Sequence, residues 1–209
     1  MAINFRSHLI VPLYLEPQRH YHNLSHIHRL LREIDMLLDQ EVIDYYNRQI
    51  LDIAAWMHDA YYDPKAAPGN NERRSADMLS EFDELKSTAV VPHRNGKGHT
   101  RLFSWLVETV EATAKHTEDQ LGLNPLTELF LDIDLCDLGA DPTTFHENTL
   151  NIRKEYAHVP MDAFVKGRIQ FCQKMLDRES IYYHPFMKLK YEKQAIKNLE
   201  NEIEYLKSL

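Results

Sequence analysis

Apolar residues recur at three- and four-residue steps along most of this chain, and this pattern restricts the fold to packed helices. The clearest stretch runs from residue 23 to residue 40, where Ile27, Leu30, Leu31, Ile34, Leu37 and Leu38 form one stripe. Only six Gly and nine Pro occur among 209 residues, too few for the frequent turns of an all-β fold. The sequence therefore predicts an all-α protein.

The same periodicity predicts eight helices, at about residues 23–40, 41–59, 71–86, 100–116, 125–138, 142–156, 161–177 and 185–207. Residues 87–99 contain Pro92, Gly96 and Gly98, and we expect them to be irregular and mobile. No repeat or domain boundary is visible. We predict a single domain, 1–209, with a metal-binding core at about 19–140 and a C-terminal helical extension at about 141–209.

Composition limits the partners of the chain. Its 24 Lys and Arg against 32 Asp and Glu give a formal charge of −8, which argues against binding to duplex nucleic acid. The apolar run from Leu9 to Leu15 is too short to span a bilayer and no targeting signal is visible, so we expect a cytoplasmic protein that does not bind membranes. Cys136 and Cys172 are too few for a disulfide framework and are predicted to be buried thiols.

The apolar seam of the last helix is predicted to pack on its own domain, and the alternative is a homodimer contact.

Four residues on buried-looking helices suggest a metal site. His58 and Asp59 follow the apolar run from Ile53 to Met57, His26 lies near a helix start, and Asp134 shares an apolar stripe with Leu131 and Leu138. Asp137 is assigned to the helix end or the surface. Buried imidazoles and carboxylates need hydrogen-bond partners or a cation. Two of each suit one divalent ion such as Mn²⁺, Fe²⁺, Co²⁺, Ni²⁺, Zn²⁺ or Mg²⁺, and the alternative is a buried hydrogen-bond network.

The order His26, His58-Asp59, Asp134 resembles the H…HD…D signature of the HD superfamily of metal-dependent phosphohydrolases, and in particular a small bacterial group of predicted HD phosphohydrolases. The resemblance covers nearly the whole chain and includes residues 19–24, 71–76, 113–116, 132–139, 152–156 and 167–168. It implies a helical bundle with the metal between helices. It also implies metal-assisted hydrolysis of a small phosphate ester, a nucleotide among the open choices, and a role for Glu72 on the attacking water.

Further candidates surround these ligands. We expect Asp59, Glu72 and His116 to serve catalysis, and His116 could contact phosphate or bind a second metal. His22 is one turn from His26 and could orient it or contact substrate. The candidate phosphate partners are Arg19, Arg73, Lys115, Arg153 and Arg168, each with an ordinary ion pair as its alternative.

Two other functions remain open. A non-catalytic metal or nucleotide sensor would use the same site for binding alone. A di-iron oxygenase would need further histidines, for which His116 and the loop residues His93 and His99 are the candidates. We therefore favour one metal ion per chain.

Overall fold

The computed structural model describes residues 5–86, 89–92, 98–118, 120 and 122–209. Over these residues the chain forms eight α-helices and one short hairpin, which confirms the all-α prediction. The helices are α1 (Leu24–Asp39), α2 (Tyr45–Met57), α3 (Asn70–Met78), α4 (Leu102–Ala112), α5 (Pro125–Asp134), α6 (Pro142–Glu155), α7 (Met161–Leu176) and α8 (Pro185–Lys207). The strands are β1 (Val90–Pro92) and β2 (His99–Arg101).

Side-chain caps set the starts of α1 and α2. Asn23 accepts a hydrogen bond from the Ser25 amide at 2.8 Å, as its position before the apolar stripe predicts. The predicted start of the second helix at residue 41 is wrong, because Glu41 has a φ of 55° and an α-helix cannot continue through that conformation. Since α2 ends at Met57, His58 and Asp59 lie in the turn just beyond it.

Three predicted helices end in tighter turns. The 3-10 segments Leu79–Glu81 and Asp83–Lys86 follow α3, Thr113–Lys115 follows α4, and Leu135–Gly139 follows α5. The last of these packs closely on α8. A Cβ atom added at Gly139 would lie 2.7 Å from Cβ of Tyr191, so this approach requires glycine.

The hairpin occupies part of the stretch that the sequence predicted to be irregular. β1 and β2 pair antiparallel with Val90 opposite Arg101, and the Tyr46 hydroxyl donates to the carbonyl of Val90 at 2.9 Å. Because residues 99–101 are extended, α4 begins at Leu102 rather than at residue 100. Residues 87–88 and 93–97, on which the rest of that prediction falls, lie outside the described residues.

One hydrophobic core joins all parts of the described chain. It includes Ile27 of α1, Leu51 of α2, Trp105 of α4, Phe130 of α5 and Leu199 of α8, all fully buried. Helices α6 and α8 pack on the 3-10 turn that follows α5, and α7 packs on α8. Cys136 and Cys172 are buried and free, as predicted.

In the apolar seam predicted on α8, Leu199, Ile203 and Leu206 are buried, and Phe186 and Ile196 are partly buried. Leu189 is the exception, since 88% of it is exposed. In the described part of the chain, no helix combines the length and apolar character that crossing a membrane requires.

Candidate metal centre

Three helix ends bring the predicted ligands together around one carboxylate. Oδ1 of Asp134, at the end of α5, lies 3.2 Å from Nε2 of His26 and 3.3 Å from Nε2 of His58. Its other oxygen, Oδ2, lies 2.8 Å from Nε2 of His116. Asp59 joins the group through His58, with its Oδ2 at 3.1 Å from Nε2 of that ring. Asp134 thus faces three imidazole nitrogens at once.

The hydrogen bonding of His58 leaves its inner nitrogen without a partner. Its Nδ1 lies 2.9 Å from the carbonyl of Ala55, and a carbonyl can only accept, so Nδ1 carries the proton. In the neutral form of the ring, the lone pair of Nε2 would face the oxygens of Asp59 and Asp134. Nε2 is buried and makes no hydrogen bond to the described residues. Only a cation at this point, a proton or a metal ion, removes the repulsion between these acceptors.

The spacing of the donor atoms fits one ion. One donor atom from each of His26, His58 and Asp134 lies within 4.8 Å of the other two. Ligands held at about 2.0–2.3 Å from a shared ion lie about 3–4.5 Å apart, so small side-chain adjustments would close this set around a metal. Asp59 is not part of this compact group and adjoins it through its contact with His58.

The electrostatics of the cluster favour positive charge at its centre. Burial opposes ionisation of Asp59 and Asp134, but the neighbouring His58 holds the pKa of both carboxyls below its usual range. For His58 itself, burial lowers the pKa while the two carboxylates raise it well above its usual value. Buried carboxylates that stay ionised are the ligands that a divalent cation needs.

A further carboxylate, that of Asp137, lies near His26. Nδ1 of His26 lies 3.9 Å from Oδ2 of Asp137 and makes no hydrogen bond to the described residues. Asp137 is buried, and it accepts hydrogen bonds from the Tyr21 hydroxyl at 3.0 Å and from Nε of Arg29 at 2.8 Å. The assignment of Asp137 to the helix end or the surface is wrong, because the 3-10 turn after α5 directs its side chain inward.

A cavity of about 280 Å³ opens beside this cluster. The metal-centre side of its wall includes His22, His26, Asp59, Glu72, His116 and Asp134. The wall also includes Phe145, Asn148 and Ile152 on α6, Tyr156 just beyond it, and Arg168 and Phe171 on α7. The C-terminal extension therefore contributes to the candidate active site.

His22 lines the cavity and is fixed by a buried carboxylate that sequence reasoning did not single out. Its Nδ1 lies 2.7 Å from Oε2 of Glu155, whose side chain is fully buried. Glu155 also accepts from the amides of Tyr21 and His22 at 2.7 and 2.9 Å and from the Tyr62 hydroxyl at 2.7 Å. Burial opposes its ionisation, but these bonds, above all that of His22, hold the pKa of Glu155 below its usual value. Because a carboxylate accepts, Nδ1 of His22 donates and its Nε2 is left for the cavity.

Arg19, predicted to bind phosphate, is already engaged by the protein. Its buried guanidinium donates to the carbonyls of Asp59 at 2.8 Å and Ala60 at 3.0 Å, and to Oε2 of Glu16 at 3.0 Å. The guanidinium also lies over the ring of Tyr14. Arg19 does not line the cavity, so its geometry favours a structural role that fixes the turn after α2.

The other predicted cations and acids fall into two groups. Arg73 and Lys115 are exposed and do not line the cavity, and Arg73 donates to Asn70. Glu72 does line it and is partly buried, and burial raises the pKa of its carboxyl. His99 is exposed on β2, whereas His93 lies outside the described residues.

Comparison of the chain with protein-family models, with curated proteins and with solved structures gives no match. The functional interpretation therefore depends on the geometry of the site and on the resemblance of its ligand pattern.

Proposed function

We propose that this protein is a metal-dependent phosphohydrolase that cleaves a small phosphate ester. The observation that carries the proposal is the buried, unpartnered Nε2 of His58, which faces the carboxylates of Asp59 and Asp134 beside a cavity. A buried ring nitrogen without a partner destabilises the folded protein unless a cation is bound there.

His26, His58, Asp59 and Asp134 would hold one divalent ion, and two imidazoles with two carboxylates suit Mn²⁺, Fe²⁺, Co²⁺, Ni²⁺ or Zn²⁺. When bound, the ion would supply Lewis acidity toward a phosphoryl oxygen and lower the pKa of a water. His116, which contacts the outer oxygen of Asp134, is positioned to meet a phosphate oxygen at the same end of the cavity.

Glu72 is the best candidate for the group that accepts a proton from the attacking water. It lines the cavity and belongs to the first turn of α3. A base works best when its pKa approaches the working pH, and burial shifts Glu72 in that direction.

His22 is the candidate that gives a proton to the leaving oxygen. Glu155 accepts from Nδ1 of the ring and fixes its orientation, so that Nε2 is left for the cavity. The ring of Tyr62, whose centroid is 4.5 Å from that of His22, packs against it and limits its rotation. A histidine held in this way can act as a general acid.

The size of the cavity supports a small substrate. A volume of about 280 Å³ lies at the low end of small-molecule sites and does not admit a folded protein or duplex. A sensor would use the same cavity without turnover, so the two functions differ only in whether the bound ester is hydrolysed.

Metal content tests the site first. Wild type, Asp134→Asn and Asp59→Asn are purified without added metal and measured by elemental analysis, with the exposed Asp77→Asn as a matched control. We expect close to one transition-metal ion per chain in wild type and in the control, and little in the two site variants. Wild-type protein that stays empty after reconstitution with Mn²⁺, Fe²⁺, Ni²⁺ or Zn²⁺ would reject the metal site.

Turnover tests the function. The metal-loaded enzyme is screened against phosphate monoesters and diesters, and we expect hydrolysis that Asp134→Asn abolishes. Metal-loaded protein that binds esters without hydrolysing any would favour the sensor. Two irons per chain with an oxygen-sensitive spectrum would favour the di-iron oxygenase.

A further inference from the structure

A second cavity, of about 370 Å³, lies where α7 is joined to α8. Its wall includes Arg178, Ser180 and Tyr183 from the connecting segment, and Pro185 and Lys188 from the start of α8. Among the described residues, none that lines this cavity also lines the one beside the metal centre. Its chemistry is therefore separate from that of the candidate active site.

Arg178 brings a positive charge to this wall without an acid to offset it. The residue is partly buried, its Nη1 donates to the carbonyl of His116 at 3.1 Å, and its guanidinium lies 4.7 Å from the ring centroid of Tyr183. Its Nη2 is buried and makes no hydrogen bond within the part of the chain that the structure describes. By contrast, Arg29 and Arg168, which are also partly buried, each have a carboxylate oxygen at 2.8 Å.

The unpartnered Nη2 indicates what the cavity lacks. A buried donor on a charged group destabilises the folded protein when no acceptor reaches it. An anion in the cavity that Arg178 lines would supply that acceptor after a small rotation of the guanidinium. The interaction would be a charge-assisted hydrogen bond, which is about twice as strong as a neutral one.

Lys188 adds a second cation to the same wall. It is exposed, and no ion pair joins it to any residue that the structure describes. The start of α8 contributes the partial positive charge of a helix N-terminus. Within the described lining, Glu179 is the single acidic residue, and it is exposed to solvent. Positive charge therefore predominates at this cavity.

Two carboxylates behind the wall are already engaged by backbone amides. Asp132 accepts from the amides of Tyr183 at 2.8 Å and His184 at 2.6 Å. Glu192 accepts from the amide of Ile181 at 2.9 Å. Neither acid lines the cavity, and their hydrogen bonds fix the path of the connecting segment. The cavity is thus formed before any ligand binds.

We propose that this cavity binds a phosphate group, held by Arg178 and Lys188 at the start of α8. A guanidinium and an ammonium on one wall donate in several directions, and a tetrahedral oxyanion accepts in several directions, whereas a planar carboxylate accepts in one plane. The volume admits either a free phosphate ion or the phosphate of a small ester. The site goes beyond the proposed hydrolysis, because it needs no metal ion and lies apart from the candidate ligands.

Titration with inorganic phosphate, followed by calorimetry at low ionic strength, tests this site. Phosphate bound at the metal centre must not contribute, so the titrated proteins are chelator-treated wild type and Asp134→Asn. We expect each to bind one phosphate ion per chain. Lys188→Gln, introduced into both, should lower the affinity at least tenfold, or about 1.4 kcal/mol.

The control variant is Lys193→Gln, which removes the same charge from an exposed position of α8 that does not line the cavity. Arg178→Gln should also abolish binding. Because Arg178 holds the backbone of His116, whose ring contacts Asp134, Lys188 is the residue whose loss leaves the metal centre intact. Melting curves confirm that each variant is folded.

Two further probes define the ligand. Acetate carries a planar, singly charged group, and we expect it to bind at least about tenfold more weakly than phosphate. Methyl phosphate distinguishes the sources of the group. If it binds as well as inorganic phosphate, the site accepts the phosphate of an ester, and if it does not bind, the ligand is the free ion.

The outcomes separate this site from the proposed function. The absence of phosphate binding at millimolar concentration would overturn the phosphate site. Equal affinity in Lys188→Gln and Lys193→Gln, or acetate binding as tight as that of phosphate, would overturn it as well. Phosphate binding that depends on Lys188, in a protein that takes up no metal, would retain this site and reject the metal centre.

Discussion

Replacement of Glu155 by Gln tests the link between the C-terminal helices and the proposed proton donor. Glu155 accepts four hydrogen bonds in a fully buried setting, two from backbone amides and two from the side chains of His22 and Tyr62. The Gln oxygen can keep the two amide bonds. Its NH₂ group would then face two groups that donate to the carboxylate in the wild type. His22 must therefore move its proton to Nε2, or lose the bond.

The expected cost follows from the change in two hydrogen bonds. A bond to a charged acceptor contributes about 1.5–3 kcal/mol and a neutral one about 0.5–1.5 kcal/mol, so each bond loses about 1–1.5 kcal/mol. Relief from burying a charge offsets part of this sum, which leaves a loss of about 2 kcal/mol. For a domain of 209 residues, that corresponds to a melting temperature lower by about 4–8 °C.

The pH dependence gives the sign of the effect. Because the folded pKa of Glu155 is lowered, its contribution to stability is present above the unfolded pKa, about 4.3, and is lost as the pH falls through the folded value. The difference in unfolding free energy between wild type and Glu155→Gln should be constant from pH 6 to pH 8 and shrink below about pH 4.5.

Catalysis gives a readout that a purely structural role would not affect. A general acid contributes about 10²–10⁴-fold to rate, and it matters most for esters with poor leaving groups. We expect Glu155→Gln to lower kcat for an alkyl phosphate or a nucleotide much more than for p-nitrophenyl phosphate. Glu147→Gln, an identical change at an exposed position on α6, is the control. If the two variants melt alike and slow both substrates equally, the proposed roles of Glu155 and His22 are wrong.

Three further substitutions test packing and burial. Gly139→Ala should destabilise the protein by about 1–3 kcal/mol, because its Cβ would lie 2.7 Å from Tyr191. Gly167→Ala in α7 has open space around its Cβ and should stabilise the helix by about 0.5–1 kcal/mol. Thermal melts that rank the two variants the other way would contradict the close contact at Gly139. Burial raises the pKa of Asp52 to about 6 although Arg48 opposes the shift, so wild type loses stability as the pH rises from about 4 through 6. Above pH 7, the unfolding free energy of Asp52→Asn should therefore exceed that of wild type by about 1 kcal/mol, after allowance for solvent screening. Urea unfolding measures this difference at pH 5 and at pH 8, and equal differences at the two pH values would refute the prediction.

Local periodicity made the helices predictable. The stripe of α1 and the cap at Asn23 depend on residues within one or two turns, and the structure has that cap. The left-handed Glu41 belongs to the C-terminal cap of α1, where the amides of Glu41 and Val42 donate to the carbonyls of Leu38 and Leu37. Because Gly or Asn usually occupies that position, a glutamate there does not mark the cap in the sequence, and the start of α2 was predicted too early. The β1–β2 hairpin depends on contacts with distant elements, such as the bond from Tyr46 to Val90, and no local pattern encodes such contacts.

The residues of the candidate metal cluster could be selected from the sequence for a different reason. His26, His58 and Asp134 lie among apolar residues, where a buried polar group needs a partner. This contrast between a polar residue and its apolar neighbours can be seen in the sequence alone. Glu155 and Asp137 carry no such signal. The partner of Glu155 is 133 residues away in the chain, and that distance makes its role invisible until the helices are packed.

Arg19 shows how a residue can serve the site without entering it. The cluster brings Asp59 and Asp134 together around buried imidazoles, an arrangement that is unfavourable until a cation binds. The turn that carries His58 and Asp59 must therefore be held by other interactions. Arg19 supplies them, because its positive charge lies at the carboxyl end of α2 and its N–H groups satisfy the carbonyls of Asp59 and Ala60, which have no helical partners. Since a guanidinium donates in several fixed directions, Lys at this position would satisfy fewer of these carbonyls and leave the two candidate ligands less firmly oriented.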